Sequence, residues 1–196
     1  RGGAAVVVAP PGSGKTTLVP GALLDDLADS SQSVILVQPR RLAARAVARR
    51  IAQLRHGKLG GEVGYRVRFD HMTSASTRLC VVTTGVLLRR LLDDEGLDRV
   101  RTVVLDEFHE RSVDMDLALG LLLRLQQTIR EDLRIVVMSA TLDAEPIARR
   151  LGNCPIITSE GRVFPVDVHY APRPDTRPIV PRVVSAVPEA LRHSPG

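Results

Sequence analysis

Six short aliphatic, β-branched runs, each four to seven residues long, leave this chain few folds to choose from. They are AAVVVA (4–9), SVILVQ (33–38), RLCVVT (78–83), RTVVLD (101–106), LRIVVMS (133–139) and PIIT (155–158). Each is nearly continuous in apolar residues rather than alternating, the pattern of parallel strands covered on both faces. Between them, segments at 15–28, 40–56, 84–93, 113–130 and 143–151 repeat their apolar residues at helical spacing. GEVGYRVRFD (61–70) does alternate and predicts an added strand or hairpin. This order implies an α/β fold, a doubly wound and mainly parallel sheet with helices on both faces and right-handed crossovers. Such sheets bind ligands at the carboxyl ends of their strands.

A chain of 196 residues can bury one large core, and with three Phe, two Tyr and no Trp that core must be aliphatic. No apolar run reaches the length of a membrane span. The opening RGGAAVVVAPP has neither Met nor a long apolar leader segment, so it reads as a cut inside a larger gene product. Cys80 and Cys154 sit in apolar runs and are expected to be buried free thiols of a reducing, cytoplasmic compartment. Eight of the 13 prolines follow position 154. The expected organisation is therefore a domain over 1–170, followed by a Pro-rich linker and the start of a second domain over 171–196.

A net charge of +5 and a pI near 10.0 permit a polyanionic partner without requiring one. The basic residues are distributed oddly. Of 27, only Lys15 and Lys58 are lysine; the rest are arginine. Lys15 lies in GSGKTT (12–17), where an apolar run gives way to a helical segment. Gly12 and Gly14 allow positive φ and close backbone approach, so the amides of Gly12, Ser13 and Gly14 can converge on phosphate oxygens at a helix N-terminus. Lys15 is placed to reach the β- and γ-phosphates of a nucleotide, and a compact ammonium fits within such a loop where a planar guanidinium would not. Thr16 offers a hydroxyl to Mg²⁺, and Thr17 is a candidate phosphate contact. The usual pattern starts with glycine where this chain has Ala9; negative φ suffices at that strand end.

VVLDEFHER places Asp106 and Glu107 where another apolar run stops. Two adjacent carboxylates there are costly without a cation. Thr16, Asp106 and Glu107 make up the candidate magnesium set, with Asp106 and Thr16 holding the ion and Glu107 orienting water. His109 is poised to hydrogen-bond a neighbouring element.

These motifs carry a resemblance. Asp106-Glu-Phe-His109, followed by Glu110-Arg111, resembles motif II of the DExH/DEAH-box helicases of superfamily 2, with Phe108 where the name-giving sequence has Ala. GSGKTT resembles motif I, QPRR (38–41) motif Ia, TTG (83–85) motif Ib and SAT (139–141) motif III. VGYRVRFD (63–70) and GRVFPV (161–166) are similar to segments between and after those motifs, and the DEFHER variant is similar to that of bacterial HrpB-type RNA helicases.

The resemblance implies the first of two RecA-like lobes that sandwich ATP, hydrolysed with Mg²⁺ by in-line attack of water. Lys15, Asp106, Glu107 and His109 would be the catalytic set. Ser139 and Thr141 would couple the nucleotide site to the bound strand, although Ser-Ala-Thr is an equally good helix N-cap. Arg40, Arg41 and Thr83 would track the backbone of a single-stranded nucleic acid, RNA ahead of DNA, without reading bases. The partners implied are that strand, a second RecA-like lobe and C-terminal domains of the parent protein, with no membrane. In the helix 40–56, Ala43, Val47, Ile51 and Leu54 predict one apolar stripe, with Arg41, Arg45 and Arg49 opposite. Arg50 flanks that stripe; the resemblance implies that it stacks on adenine, and a buried salt bridge is the other reading. Without the second lobe's arginine finger, slow hydrolysis and no unwinding are expected of these 196 residues. Two other functions compete: a P-loop NTPase that remodels or transports proteins without nucleic acid, and a nucleotide-dependent interaction module without turnover.

Overall fold

The computed structural model describes residues 3–93, 97–140, 144–160, 168, 170 and 175–193. Residues 1–162 form one compact unit and 163–196 a second. The first unit holds a single eight-stranded sheet. In chain order its elements are β1 (Ala4–Val8), α1 (Lys15–Asp25), β2 (Ser33–Gln38), α2 (Arg41–Leu54), β3 (Val63–Val67), β4 (Asp70–Met72), β5 (Leu79–Thr83) and α3 (Thr84–Leu92). Then come β6 (Val100–Leu105), a 3₁₀ turn (Phe108–Glu110), α4 (Val113–Thr128), β7 (Arg134–Ser139), α5 (Glu145–Arg150) and β8 (Ile156–Thr158). The strand order is β4-β3-β5-β2-β6-β7-β1-β8, and every pairing is parallel except the β3–β4 hairpin.

Alternate residues of one strand serve opposite layers, because successive side chains point to opposite faces. Ile35 and Val37 of β2 join Val103 and Leu105 of β6 in a core shared with Leu87, Leu119, Leu122 and Ile147 of α3, α4 and α5. Val34 and Leu36 join Val104, Val136 and Met138 in a second core with Leu24 of α1 and Ala44, Ala48 and Ile51 of α2. Two buried faces explain why the strands read as unbroken apolar runs. β8 departs from this: Ile156 and Ile157 are exposed on the edge strand.

Two expectations are corrected. Cys80 and Cys154 are free but only half-buried, packed at the margin of the first core. In α2 the buried stripe is Ala44, Ala48, Ile51 and Ala52, while Leu54 is exposed. The stripe is thus turned toward the alanines, with Ile51 common to both and Val47 half-buried against the second core. Arg45 consequently reaches the hairpin, pairing with Asp70 at 2.5 Å, and Asp70 also accepts from the Tyr65 hydroxyl at 2.9 Å.

In the second unit the described residues include α6 (Ile179–His193), which exposes Ile179, Val180, Val183, Val184, Val187 and Leu191 at helical spacing. Thr141, residues 161–166 and the first half of the predicted linker, 171–174, lie outside the described residues.

Candidate active site

The order β6-β7-β1 brings the carboxyl ends of three central strands side by side. β1 leads to buried Ala9, whose amide donates to the Ser139 carbonyl at 3.1 Å and whose φ is negative. Gly12 and Gly14 then take φ of 79° and 84°, conformations that strain any side chain. An added Cβ at Gly14 would also lie 3.1 Å from the Leu18 side chain. Gly14 caps α1, and Lys15 begins the helix with its side chain largely buried (6% exposed). Residues 11–17 and Glu107 line an open cavity of about 290 Å³. Thr16 lines it, whereas the Thr17 hydroxyl already donates to the Gly14 carbonyl at 3.1 Å.

The opposite wall comes from the end of β6. Asp106 is fully buried, and both carboxylate oxygens are occupied: Oδ1 accepts from the Glu107 amide at 2.9 Å and Oδ2 from Gln38 Nε2 at 2.6 Å. Both donors are neutral amides. Glu107 follows with φ of 53°, a left-handed conformation uncommon outside glycine and characteristic of functional sites. That bend lifts its carboxylate out of the sheet into the cavity, where Oε1 lies 3.9 Å from Lys15 Nζ and Oε2 lies 3.3 Å from His109 Nε2.

His109 closes the chain of contacts. Its Nδ1 accepts from the Ala140 amide at 3.2 Å, so in the neutral ring the proton sits on Nε2, the nitrogen 3.3 Å from Glu107 Oε2. Ala140 follows β7 directly, next to buried Ser139. The turn that carries these groups is pinned by Phe108, which is 1% exposed in the first core and has the Arg111 guanidinium 5.4 Å from its ring centre. A phenylalanine in the alanine position of the helicase motif therefore serves as the turn's anchor.

The donor types suit a small hard cation. Thr16 supplies a hydroxyl and Asp106 a carboxylate, leaving other positions to phosphate oxygens and water, the usual magnesium arrangement. Among the described residues no three or more His, Cys, Asp or Glu cluster as a metal cage would require.

Along the same sheet edge, toward β5, lies a basic cavity of about 780 Å³. Arg41 and Thr83 line it, together with Arg66, Arg68, Phe69, Arg89 and Arg90, which the motifs alone do not single out. Their signal is present in the sequence: an RVRF segment in the alternating hairpin and an Arg pair in the helix after TTG. Arg40 stands apart. Its guanidinium donates to Glu110 at 3.1 and 3.2 Å, so it pairs with the acidic turn instead of lining the cavity. Arg50 is exposed and has no ion pair among the described residues, which removes the buried salt-bridge reading; the shifted stripe of α2 turns it away from the core.

Comparison with known proteins matches this geometry. The sequence pattern of the DEAD/DEAH box helicase family matches residues 1–149. The chain is 47% identical over 188 residues to ATP-dependent RNA helicase HrpB of Escherichia coli (strain K12), covering 96% of this chain and 23% of that protein. It is 46% identical over 181 residues to the protein named "Probable ATP-dependent RNA helicase DHR2" of Saccharomyces cerevisiae, covering 91% of this chain and 24% of that one. The crystal structure of the Escherichia coli DEAH/RHA helicase HrpB superposes with a TM-score of 0.84 at 46% identity, covering 97% of this chain and 24% of that chain. The chain thus spans about a quarter of the length of these relatives. With a phosphate loop, an acidic strand end and a histidine-linked third motif meeting at one edge of a RecA-like sheet, it belongs to the DEAD/DEAH box helicase family.

Proposed function

We propose that this chain is the first, nucleotide-binding lobe of an ATP-dependent DEAH-type RNA helicase, working with a second lobe and further domains of a larger cytoplasmic protein. Residues 1–170 would be the lobe, and 171–196 the linker and the start of a second domain. One observation carries the reading: Lys15 lies 3.9 Å from Glu107 across the phosphate-loop cavity, beside the buried Asp106. An ammonium, a hydroxyl and two carboxylates around one cavity are the parts that phosphoryl transfer to water requires.

In this reading the amides of Gly12, Ser13 and Gly14, with Lys15 and Thr17, bind the phosphates. Thr16 and Asp106 hold Mg²⁺, which when bound neutralises charge developing on the phosphate oxygens. Glu107 leaves its contact with Lys15 as phosphate arrives and accepts a proton from the attacking water. His109 holds Glu107 in register and ties it to Ala140, so Ser139 and Thr141 convey the state of the nucleotide to the strand. Arg50, exposed and without an ion-pair partner among the described residues, stacks on adenine. Arg41 and Thr83 contact RNA phosphates in the basic cavity, and Arg40 does so on leaving Glu110. RNA is favoured over DNA because the similar helicases are named for RNA.

The test is ATP turnover by the two-lobe protein with single-stranded RNA, with DNA and with neither. RNA-stimulated turnover should vanish in Lys15→Ala and fall at least about 100-fold in Glu107→Gln, the scale of a lost general base. Turnover indifferent to both nucleic acids, or surviving Lys15→Ala, would overturn the proposal. The 196-residue chain alone should hydrolyse ATP slowly and separate no strands.

A further inference from the structure

Gln38 is the last residue of β2 and is 2% exposed, and neither the phosphate loop nor the basic cavity includes it. Its backbone and side chain face different neighbours. In the β2–β5 register it stands opposite Thr83, which lines the basic cavity. On the other side, its Nε2 donates to Asp106 Oδ2 at 2.6 Å. The orientation of the amide follows from chemistry, since a carboxylate only accepts.

A carboxylate on a strand end could rotate about its own side-chain bonds. Here the Glu107 amide fixes Oδ1 and Gln38 fixes Oδ2, so the plane of the group is set from both sides. The donor is neutral, which leaves the full negative charge for a cation; an arginine or lysine in its place would compete with that cation. The Asp106 amide also donates to the Val37 carbonyl at 3.1 Å, which ties the ends of β2 and β6 together.

We propose that Gln38 is a positioning residue that aims the Asp106 carboxylate at the magnesium of the bound nucleotide. This rests on the functional reading above. The hydrogen bond orients a ligand of the ion without touching it, and partners of that kind typically govern metal affinity by about 10- to 100-fold.

The test is equilibrium binding of a fluorescent ADP analogue to the 196-residue chain, with magnesium and with a chelator. In the unsubstituted protein magnesium should tighten binding. In Gln38→Met, which keeps the buried volume and removes the donor, that gain should shrink at least about tenfold while metal-free affinity stays within about twofold. Gln38→Glu should lose the gain as well, by placing a like charge against Asp106. Loss of metal-free affinity in both variants would mark Gln38 as merely structural and overturn the inference. So would an undiminished magnesium gain in Gln38→Met, with the functional reading left standing. Absence of any magnesium gain in the unsubstituted chain would overturn both. Should Gln38→Met not fold, as judged by circular dichroism, Gln38→Leu replaces it under the same criteria.

Discussion

At the scale of single residues, the chain breaks its own habits where chemistry is expected. Lysine replaces arginine at position 15, and glutamate takes a left-handed φ of 53° at position 107. Lys15 is largely buried at the start of α1, and a planar guanidinium is wider than its compact ammonium. Lys15→Arg is therefore expected to weaken nucleotide binding at least about tenfold, a difference of about 1.4 kcal/mol, with little change in thermal midpoint. Equilibrium titration with a fluorescent nucleotide checks it, and near-normal affinity would refute the steric argument. Phe108 makes the complementary case, being fully enclosed and outside the cavity lining. Phe108→Ala should cost about 3 kcal/mol in denaturant unfolding, the usual scale for an emptied aromatic site. It should also depress turnover by loosening the turn that aims Glu107 and His109.

At the scale of elements, arginines bind segment ends together. Arg55 donates to Asp25 at 2.7 Å and to Glu62 at 2.7 Å, joining the end of α2 to the end of α1 and the approach to β3. Arg130, after α4, donates to the Leu97 carbonyl, to the Val100 carbonyl at 2.9 Å and to Asp132, fastening the α4–β7 turn to the start of β6. The Arg130 hydrogen bonds, with its charge and Arg101 assisting against some desolvation, hold the Asp132 carboxyl well below the usual carboxylate range. A depressed folded-state value means the contribution is complete above the unfolded pKa near about 4 and is lost as pH falls below it. Asp132→Asn should therefore lower stability at pH 7 by at most about 1 kcal/mol, since its side chain is 48% exposed and screened. The difference from the unsubstituted chain should narrow below about pH 4. Urea unfolding at pH 7 and pH 3 decides this: the gap closes fully only as pH falls through the depressed folded-state value, so it should be smaller at pH 3, and a gap undiminished there would show that another interaction is responsible.

At the scale of the whole molecule, the eight strands and both apolar layers lie within residues 1–162. A chain ended at 162 is expected to unfold in one cooperative transition, within a few degrees of the longer chain, and to bind nucleotide equally. Calorimetry on the two lengths tests it, and a broad, non-cooperative transition in the shorter chain would show that the second unit completes the core. The arginine-lined cavity makes part of the surface strongly basic. RNA affinity should fall steeply with salt, linearly in log–log form, as expected where phosphates rather than bases are held.

Much of this architecture was legible in one dimension because parallel strands buried on both sides need unbroken aliphatic runs, and helices that cover them need apolar spacing near 3.6. The glycine-rich turn after β1 and the acidic end of β6 were legible for a similar reason: positive-φ glycines and carboxylates at a strand end are local features of the chain. Stripe and partner choice were not. Helix α2 packs on Ala44, Ala48, Ile51 and Ala52, which turns Arg50 outward and Arg45 onto the hairpin; several neighbouring stripes of this helix are apolar enough to bury, and its contacts select one of them. Arg40 and Glu110, 70 positions apart, became an ion pair, and Gln38 met Asp106 from 68 away, only because strand order made neighbours of the ends of β2 and β6. Sequence alone determined which segments become strands and helices and which groups can do chemistry; the packing of sheet and helices decided which of those groups meet, since contact across a sheet depends on strand order, which no single segment encodes.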